Sequence, residues 1–371
     1  MKLRSRPRAV TSVVALAAVA AIGSVPAAAS TTPDPPDTSE PTTATTGVAV
    51  DLAALDPKPL AETTDVTISV SGSVASFLPI LIAQSSGEFE RENLNVEIEI
   101  IPATEGTLLV AQGELDAAAV AVNAGNMNLI GTGQPLRFAF PYEPEFAPET
   151  RGSGVWVRKD VIGDDGFQPD DLRGVPIASS TGIASGTLGY FYLNFLNVDG
   201  DFPISDLNAQ QFANPDTPEA LANGGLGAGI VFAPFQRVVE ESGCCEYIEN
   251  SDPSFPFGWF IIGQRFYEDE RDVGVAFFRA IARTAATQLQ GDYIDDPVVG
   301  PLIAEALEQP LEDLQAQDQA VWDPTFPIDP EGVLATLDYW REIPGVLEFD
   351  NELDVDAVFD LDMYNQALGR D

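Results

Sequence analysis

The densest run of chemistry-bearing residues is Ser179-Ser180-Thr181-Gly182-Ile183-Ala184-Ser185-Gly186-Thr187, with five hydroxyls and two glycines set between a strand pattern and a helix pattern. Such a turn can wrap an anion with backbone N–H groups, because a helix start carries unpaired donors and partial positive charge. It is not a Walker-type loop, since no Gly-Lys-Ser/Thr closes it. The plainer alternative is a flexible loop with an ordinary helix cap. Ser71-Gly72-Ser73-Val74-Ala75-Ser76-Phe77 has the same character, so Ser71, Ser73, Ser76 and Phe77 are candidate contacts unless Ser73 or Ser76 simply caps the helix. In Asn123-Ala124-Gly125-Asn126, Asn123 is either a cap or a ligand at the end of an apolar strand pattern. Tyr142, Phe232, Phe235 and Trp259 stand near predicted strand ends or crossings, where an aromatic ring walls off a ligand or packs into the core.

Other chemistries are excluded by count. The 371 residues contain no histidine, which removes histidine triads, histidine-held zinc or haem, and imidazole acid–base catalysis. The two cysteines, Cys244 and Cys245, are adjacent and too few for a zinc cage; outside the cytosol they form a vicinal disulfide or stay as two thiols, and neither reading makes them catalytic. Acidic residues number 58 against 18 basic, a net charge of −40, which argues against nucleic-acid binding. Asn197–Asp201 lacks the glycine and closing glutamate of a calcium loop, and the acids of Asp350–Asp362 read as a solvated face. No catalytic residue, metal or cofactor is expected.

The elements that would position these loops alternate. Strand patterns at 66–70, 96–101, 117–122 and 136–140 are interleaved with helix patterns at 77–85 and 104–112; the rhythm restarts with strands at 175–179, 207–212 and 228–232 and helices at 183–196, 215–222 and 234–242. Helix patterns follow at 272–290, 298–308, 311–317 and 330–340. This order predicts an α/β fold of two similar lobes with mainly parallel sheets flanked by helices. One segment recurs: Gly113, Leu115, Ala117 and Val120 are echoed by Gly224, Leu226, Ala228 and Val231. Crossings are expected near 154–159 and 258–263, giving a first lobe of about 65–157 plus 258–371 and a second of about 158–257. Ligands of open parallel sheets sit beyond the carboxyl ends of the strands, in a cleft between such lobes.

The N-terminus reads as an address. Lys2, Arg4, Arg6 and Arg8 precede the apolar run Val13–Ile22 and the small residues Ala27–Ala29, the pattern of a secretory signal peptide over residues 1–29. Residues 30–64, rich in Thr and Pro, are expected to be a disordered tether.

Together the motifs resemble the solute-binding proteins of ABC importers, in the branch for taurine, aliphatic sulfonates, nitrate and thiamine precursors. The resemblance rests on Thr67-Ile-Ser-Val, Phe77-Leu-Pro-Ile-Leu-Ile-Ala-Gln, Gly87-Glu-Phe-Glu-Arg-Glu-Asn-Leu-Asn-Val, Gln112-Gly-Glu-Leu-Asp-Ala-Ala, Gly154-Val-Trp-Val-Arg-Lys-Asp, Asp171-Leu-Arg-Gly-Val-Pro-Ile-Ala and Phe232-Ala233-Pro234-Phe235, in that order. It implies a type II periplasmic-binding fold with a two-strand hinge, closing on a small solute. It also implies an ABC permease as partner, the membrane met only through it, and action as an exported monomer. Contacts implied for the solute include Thr181, Gly182, Ile183, Ala184 and Ser185, with Asn123, Ala124, Gly125, Phe232, Pro234 and Phe235. Ala233 stands where relatives carry a glutamate, and no lipid-anchor cysteine is present. Two other functions fit the same fold: a pyrimidine-synthesis enzyme, whose chemistry relies on histidine in the relatives, and a ligand-sensing partner of a membrane receptor.

Overall fold

A computed structural model describes residues 51–143, 154–232, 235–248, 257–317 and 319–370. All belong to one compact unit, Ala44–Asp371. The predicted signal peptide lies outside the described residues.

The first half runs β1 (Thr64–Val70), α1 (Leu78–Ser85), β2 (Leu94–Ile100), α2 (Ala103–Gln112), β3 (Ala117–Ala121), α3 (Ala124–Gly131) and β4 (Leu136–Pro141). The second runs β5 (Gly154–Arg158), β6 (Pro176–Ser179), α4 (Gly186–Phe191), β7 (Asn208–Gln211), α5 (Thr217–Ala222), β8 (Ala228–Val231), α6 (Gln236–Ser242) and β9 (Cys245–Ile248). The chain then adds β10 (Gly258–Gly263), α7 (Arg271–Gln288), α8 (Val299–Ala306), α9 (Leu311–Gln315), α10 (Pro330–Arg341), α11 (Val355–Val358) and α12 (Leu361–Ala367).

Ten strands form two five-stranded sheets of one plan, β2-β1-β3-β10-β4 and β7-β6-β8-β5-β9. In each, the fourth strand alone runs antiparallel. The recurring segment enters the third strand of both sheets. Gly113 and Gly224 both take left-handed backbone angles. The Glu114 and Gly225 amides reach back to Leu109 and Ala220, each at 2.9 Å, and those of Asp116 and Gly227 reach Thr67 and Pro176 at 2.9 and 3.0 Å. Small residues at Ala117–Ala119 and Ala228–Gly229 are buried on both faces, as a central strand requires.

Three expectations are corrected. Gly154–Arg158 and Gly258–Gly263 are not crossings but core strands, the first in the second sheet and the second in the first. The chain therefore changes from the first sheet to the second between β4 and β5, and returns between β9 and β10. Second, α10 was expected with the first lobe, yet it packs on α4 of the second; a Cβ on Gly189 would stand 2.8 Å from the Tyr339 ring. Third, ordered structure starts before Asp65. Leu55 is fully buried. Arg283 donates to its carbonyl at 2.9 Å, Arg279 donates to Lys58 O at 3.2 Å, and the Lys58 amide donates to Glu92 at 3.0 Å. Composition suggested a tether because residues 51–63 carry little apolar pattern; buried arginines on α7 supply the partners instead.

Arg279 and Arg283, one helical turn apart, also clamp Glu92 and Glu88. Arg279 Nη2 to Glu92 and Arg283 Nε to Glu88 are both 2.6 Å. These four side chains are almost wholly buried, so they satisfy each other instead of water. Apolar packing is continuous between the halves: Val120 and Trp259 of one sheet share a core with Val155 and Ile177 of the other.

Candidate functional site

The parallel strands of each sheet end where the predicted loops begin. In the first half, β1 gives way to Ser71–Ala75, β3 to Val122-Asn123, and β4 to Tyr142-Glu143. In the second, β6 runs into Ser180–Ser185 and β8 into Phe232. The two sets meet. Asn123 and Ser185 form an isolated antiparallel bridge, and the Gly186 amide donates to Val122 O at 3.1 Å. The Val122 amide in turn donates to Phe257 O at 2.8 Å.

In the loop after β1 the serines cap no helix. The N-cap of α1 is Phe77, and no side chain caps it. Ser71 is exposed, Ser73 and Ser76 half-buried; neither Ser73 nor Ser76 is a cap. Phe77 is buried with its ring 5.1 Å from that of Tyr142.

Asn123 caps. Its Oδ1 accepts from Gly125 and Asn126 at 2.8 and 3.1 Å, and Asn126 Oδ1 accepts the Asn123 amide at 3.0 Å. Ala124 is buried and Gly125 exposed.

In the loop after β6, Ser179 donates to Gly182 O at 2.8 Å, and Ser185 Oγ caps α4 by accepting from Leu188 at 3.3 Å. Thr181 is half-buried beside Gly182, which takes a left-handed angle. Ile183 and Ala184 pack partly on the shared core.

The aromatic candidates divide. Trp259 is wholly buried, 4.9 Å from the Phe359 ring and 6.3 Å from that of Phe138, so it is a core residue and not a wall of the site. Phe232 is partly buried on the shared core, and Phe235 on the smaller core around Trp156. Pro234 lies outside the described residues. Cys244 and Cys245 are joined as a vicinal disulfide at the start of β9. The bridge packs on that smaller core.

Glu143, Phe257 and Tyr190 were missed. Glu143 Oε2 accepts the Phe257 amide at 2.8 Å. Burial pushes its carboxyl above the usual carboxylate range, although the Phe257 and Gly258 amides pull the other way. The Phe257 ring meets Tyr190 of α4 edge-on at 5.6 Å. The strand-end rule that selected Tyr142 applied equally to its neighbour, but in so acidic a chain one glutamate carries no signal.

Among the described residues, two arginines in or next to β5 and β10 are committed elsewhere. Arg158 is held by Asp160 at 2.8 Å and Leu221 O at 2.7 Å, and Arg265 by Asp116 and Glu270, both at 2.8 Å. Arg151 lies outside the described residues. A cavity of about 60 Å³ lies behind Ser73–Ala75, closed by Ile303, Leu307 and Leu314; its lining includes nothing from the second half.

No protein-family model matches this sequence, and no curated protein matches it. Solved structures do. The alkanesulfonate-binding protein SsuA from Xanthomonas axonopodis, bound to MOPS, is 16% identical with a TM-score of 0.56, over 81% of this chain and 99% of that one. The periplasmic aliphatic sulphonate binding protein SsuA from Escherichia coli is 15% identical at 0.55, over 81% and 98%. The periplasmic nitrate-binding protein NrtA from Synechocystis is 12% identical at 0.58, over 84% and 89%. These belong to the branch that the sequence motifs resemble. With its two like sheets meeting at their strand ends, the chain has the two-lobed type II fold of the periplasmic binding proteins.

Proposed function

We propose that this chain is an extracytoplasmic solute-binding receptor that closes its two halves on a small molecule and delivers it to the permease of an ABC importer. The observation that carries this reading is the backbone contact from Gly186 to Val122, made where the loops Ser71–Ser76 and Ser179–Ser185 leave their sheets. A receptor of this kind works by differential affinity: solute contacted by both halves favours the closed state. The signal-like N-terminus supports export, and among the described residues no helix is long and apolar enough to cross a membrane. The fold neighbours supply sulfonates and nitrate as first solutes to test; a nitrogen-containing or pyrimidine solute suits the acidic chain equally. A transport role is preferred over an enzymatic one because no histidine is present for acid–base work.

Thermal unfolding of the purified protein against sulfonates, nitrate, pyrimidines, amines and amino acids tests the reading. A ligand at about 100 times its Kd adds roughly 2.7 kcal/mol, or a Tm rise of about 4 °C for a unit this size. A shift confined to one chemical class supports a receptor. A folded, ligand-free protein that responds to none of them refutes it for these classes.

A further inference from the structure

A carboxylate bordered by aromatic rings sits where the two halves meet. Glu143 stands two residues past the end of β4, and its side chain lies over Gly258 beside the Tyr142 ring: a Cβ built there would be 2.6 Å from Glu143 Cγ and 2.7 Å from Tyr142 Cε2. Phe77 extends the aromatic surface from Tyr142. On the other side, Phe257, whose amide binds Glu143, leads to Tyr190 in the second half. Rings from both halves thus reach the residues that flank this acid, Tyr142 beside it in sequence and Phe257 through its amide.

No arginine or lysine among the described residues pairs with Glu143. It is half-buried and receives backbone N–H but, among the described residues, no positive charge. A carboxylate in such a place is costly until a cation joins it. Aromatic faces attract ammonium groups, and more strongly when water is displaced. A net charge of −40 raises the local concentration of cations and lowers that of anions. An incoming sulfonate or nitrate would meet the carboxylate with no guanidinium in reach among the described residues.

We propose that the solute is a small organic ammonium ion, its charge met by Glu143 and its body walled by Tyr142, Phe77, Phe257 and Tyr190. The proposal rests on the receptor reading and departs from the anions named for the fold neighbours.

The test is isothermal titration of the purified full chain with choline, ethanolammonium and putrescine, and in parallel with methanesulfonate and nitrate. At least one ammonium should bind and both anions should not. Glu143→Gln should raise the Kd of that ammonium at least tenfold, and Glu143→Asp, which keeps the charge but draws it back, by a smaller factor; the Asp variant decides the case if the Gln variant does not fold. Binding of methanesulfonate or nitrate with every ammonium silent overturns the proposal and leaves the receptor reading intact. Silence across the whole panel overturns both. Ammonium binding unchanged within twofold in the Glu143 variants removes Glu143 from the site and with it the proposal.

Discussion

Gly186 donates its amide to the carbonyl oxygen of Val122, 3.1 Å away, tying the start of α4 in the second half to the end of β3 in the first. The demand for glycine here is spatial, since Gly186 is not among the positive-φ residues. A Cβ would stand 2.6 Å from that same oxygen and 3.3 Å from the Phe257 ring. Backbone on one side and an aromatic on the other leave neither neighbour free to yield.

Gly186→Ala is therefore expected to part the halves. Small-angle scattering should show a larger radius of gyration than the parent, and solute affinity should fall at least tenfold. The loss of stability should be about 1–3 kcal/mol, the usual range for overpacking. A variant with unchanged radius and affinity would show that the contact has no part in closure.

The buried cluster of Glu88, Glu92, Arg279 and Arg283 sets a second expectation. Removing one partner leaves an unpaired charge, so Glu92→Gln should cost about 3–5 kcal/mol in urea unfolding. Burial pushes the Glu92 carboxyl up, but hydrogen bonds from Arg279 and Arg283 and the charge of Arg279 outweigh it, and it sits below the ordinary glutamate range. A lowered folded-state value means stability that is present above about pH 4.5 and is lost as pH falls through the folded value. Glu143 has the opposite sign: its raised value makes the fold gain stability as pH falls through it. Unfolding midpoints measured from pH 7 to 3 should fall steeply at the acid end in the parent and less steeply in Glu92→Gln.

The parallel core of both sheets was legible because local rules govern it. A left-handed glycine, a leucine and a run of small residues mark entry into β3 and into β8, and the hydrogen bonds at the two places correspond. The antiparallel strands were not legible as such. Val155–Val157 and Trp259–Ile262 are apolar enough for buried strands, but their direction follows from pairing with residues far along the chain. The segment around Leu55 was hidden for a related reason: its hydrogen-bond partners lie at Glu92 and on α7, the latter more than two hundred residues away. At the junction of the halves, the strand-end rule pointed to the loops and Tyr142. It could not separate Trp259, which a neighbouring position on β10 turns into the core, from Phe257, which lies at the junction of the halves.

The cysteine pair should matter little to global stability. A bridge between adjacent residues closes the smallest possible loop, so it removes almost no chain entropy from the unfolded state. The turn is also held without sulfur: the Lys159 amide donates to Cys244 O at 3.0 Å, and Lys159 Nζ to Gly243 O at 2.9 Å. The double replacement Cys244→Ser with Cys245→Ser should keep Tm within about 3 °C and solute affinity within about twofold. A collapse of either, seen also in the parent under reductant, would give the bridge a role that this geometry does not.

Gly258 and Trp259 are neighbours on β10 with opposite duties, and a pair of variants separates them. Trp259 is wholly buried against Phe138 and Phe359, so Trp259→Phe should lower stability by about 1–3 kcal/mol through lost volume and leave solute affinity within about twofold. Gly258 lies under the Glu143 and Tyr142 side chains, so Gly258→Ala must displace both. Glu143 can swing aside, but the tyrosine ring is wedged against Phe77 and Phe260. Its stability cost should be similar, while solute affinity should fall at least tenfold, because the acid and the ring move together. Equal affinity losses in the two variants, measured by titration at matched folded fractions, would mean that β10 acts on binding only through global stability.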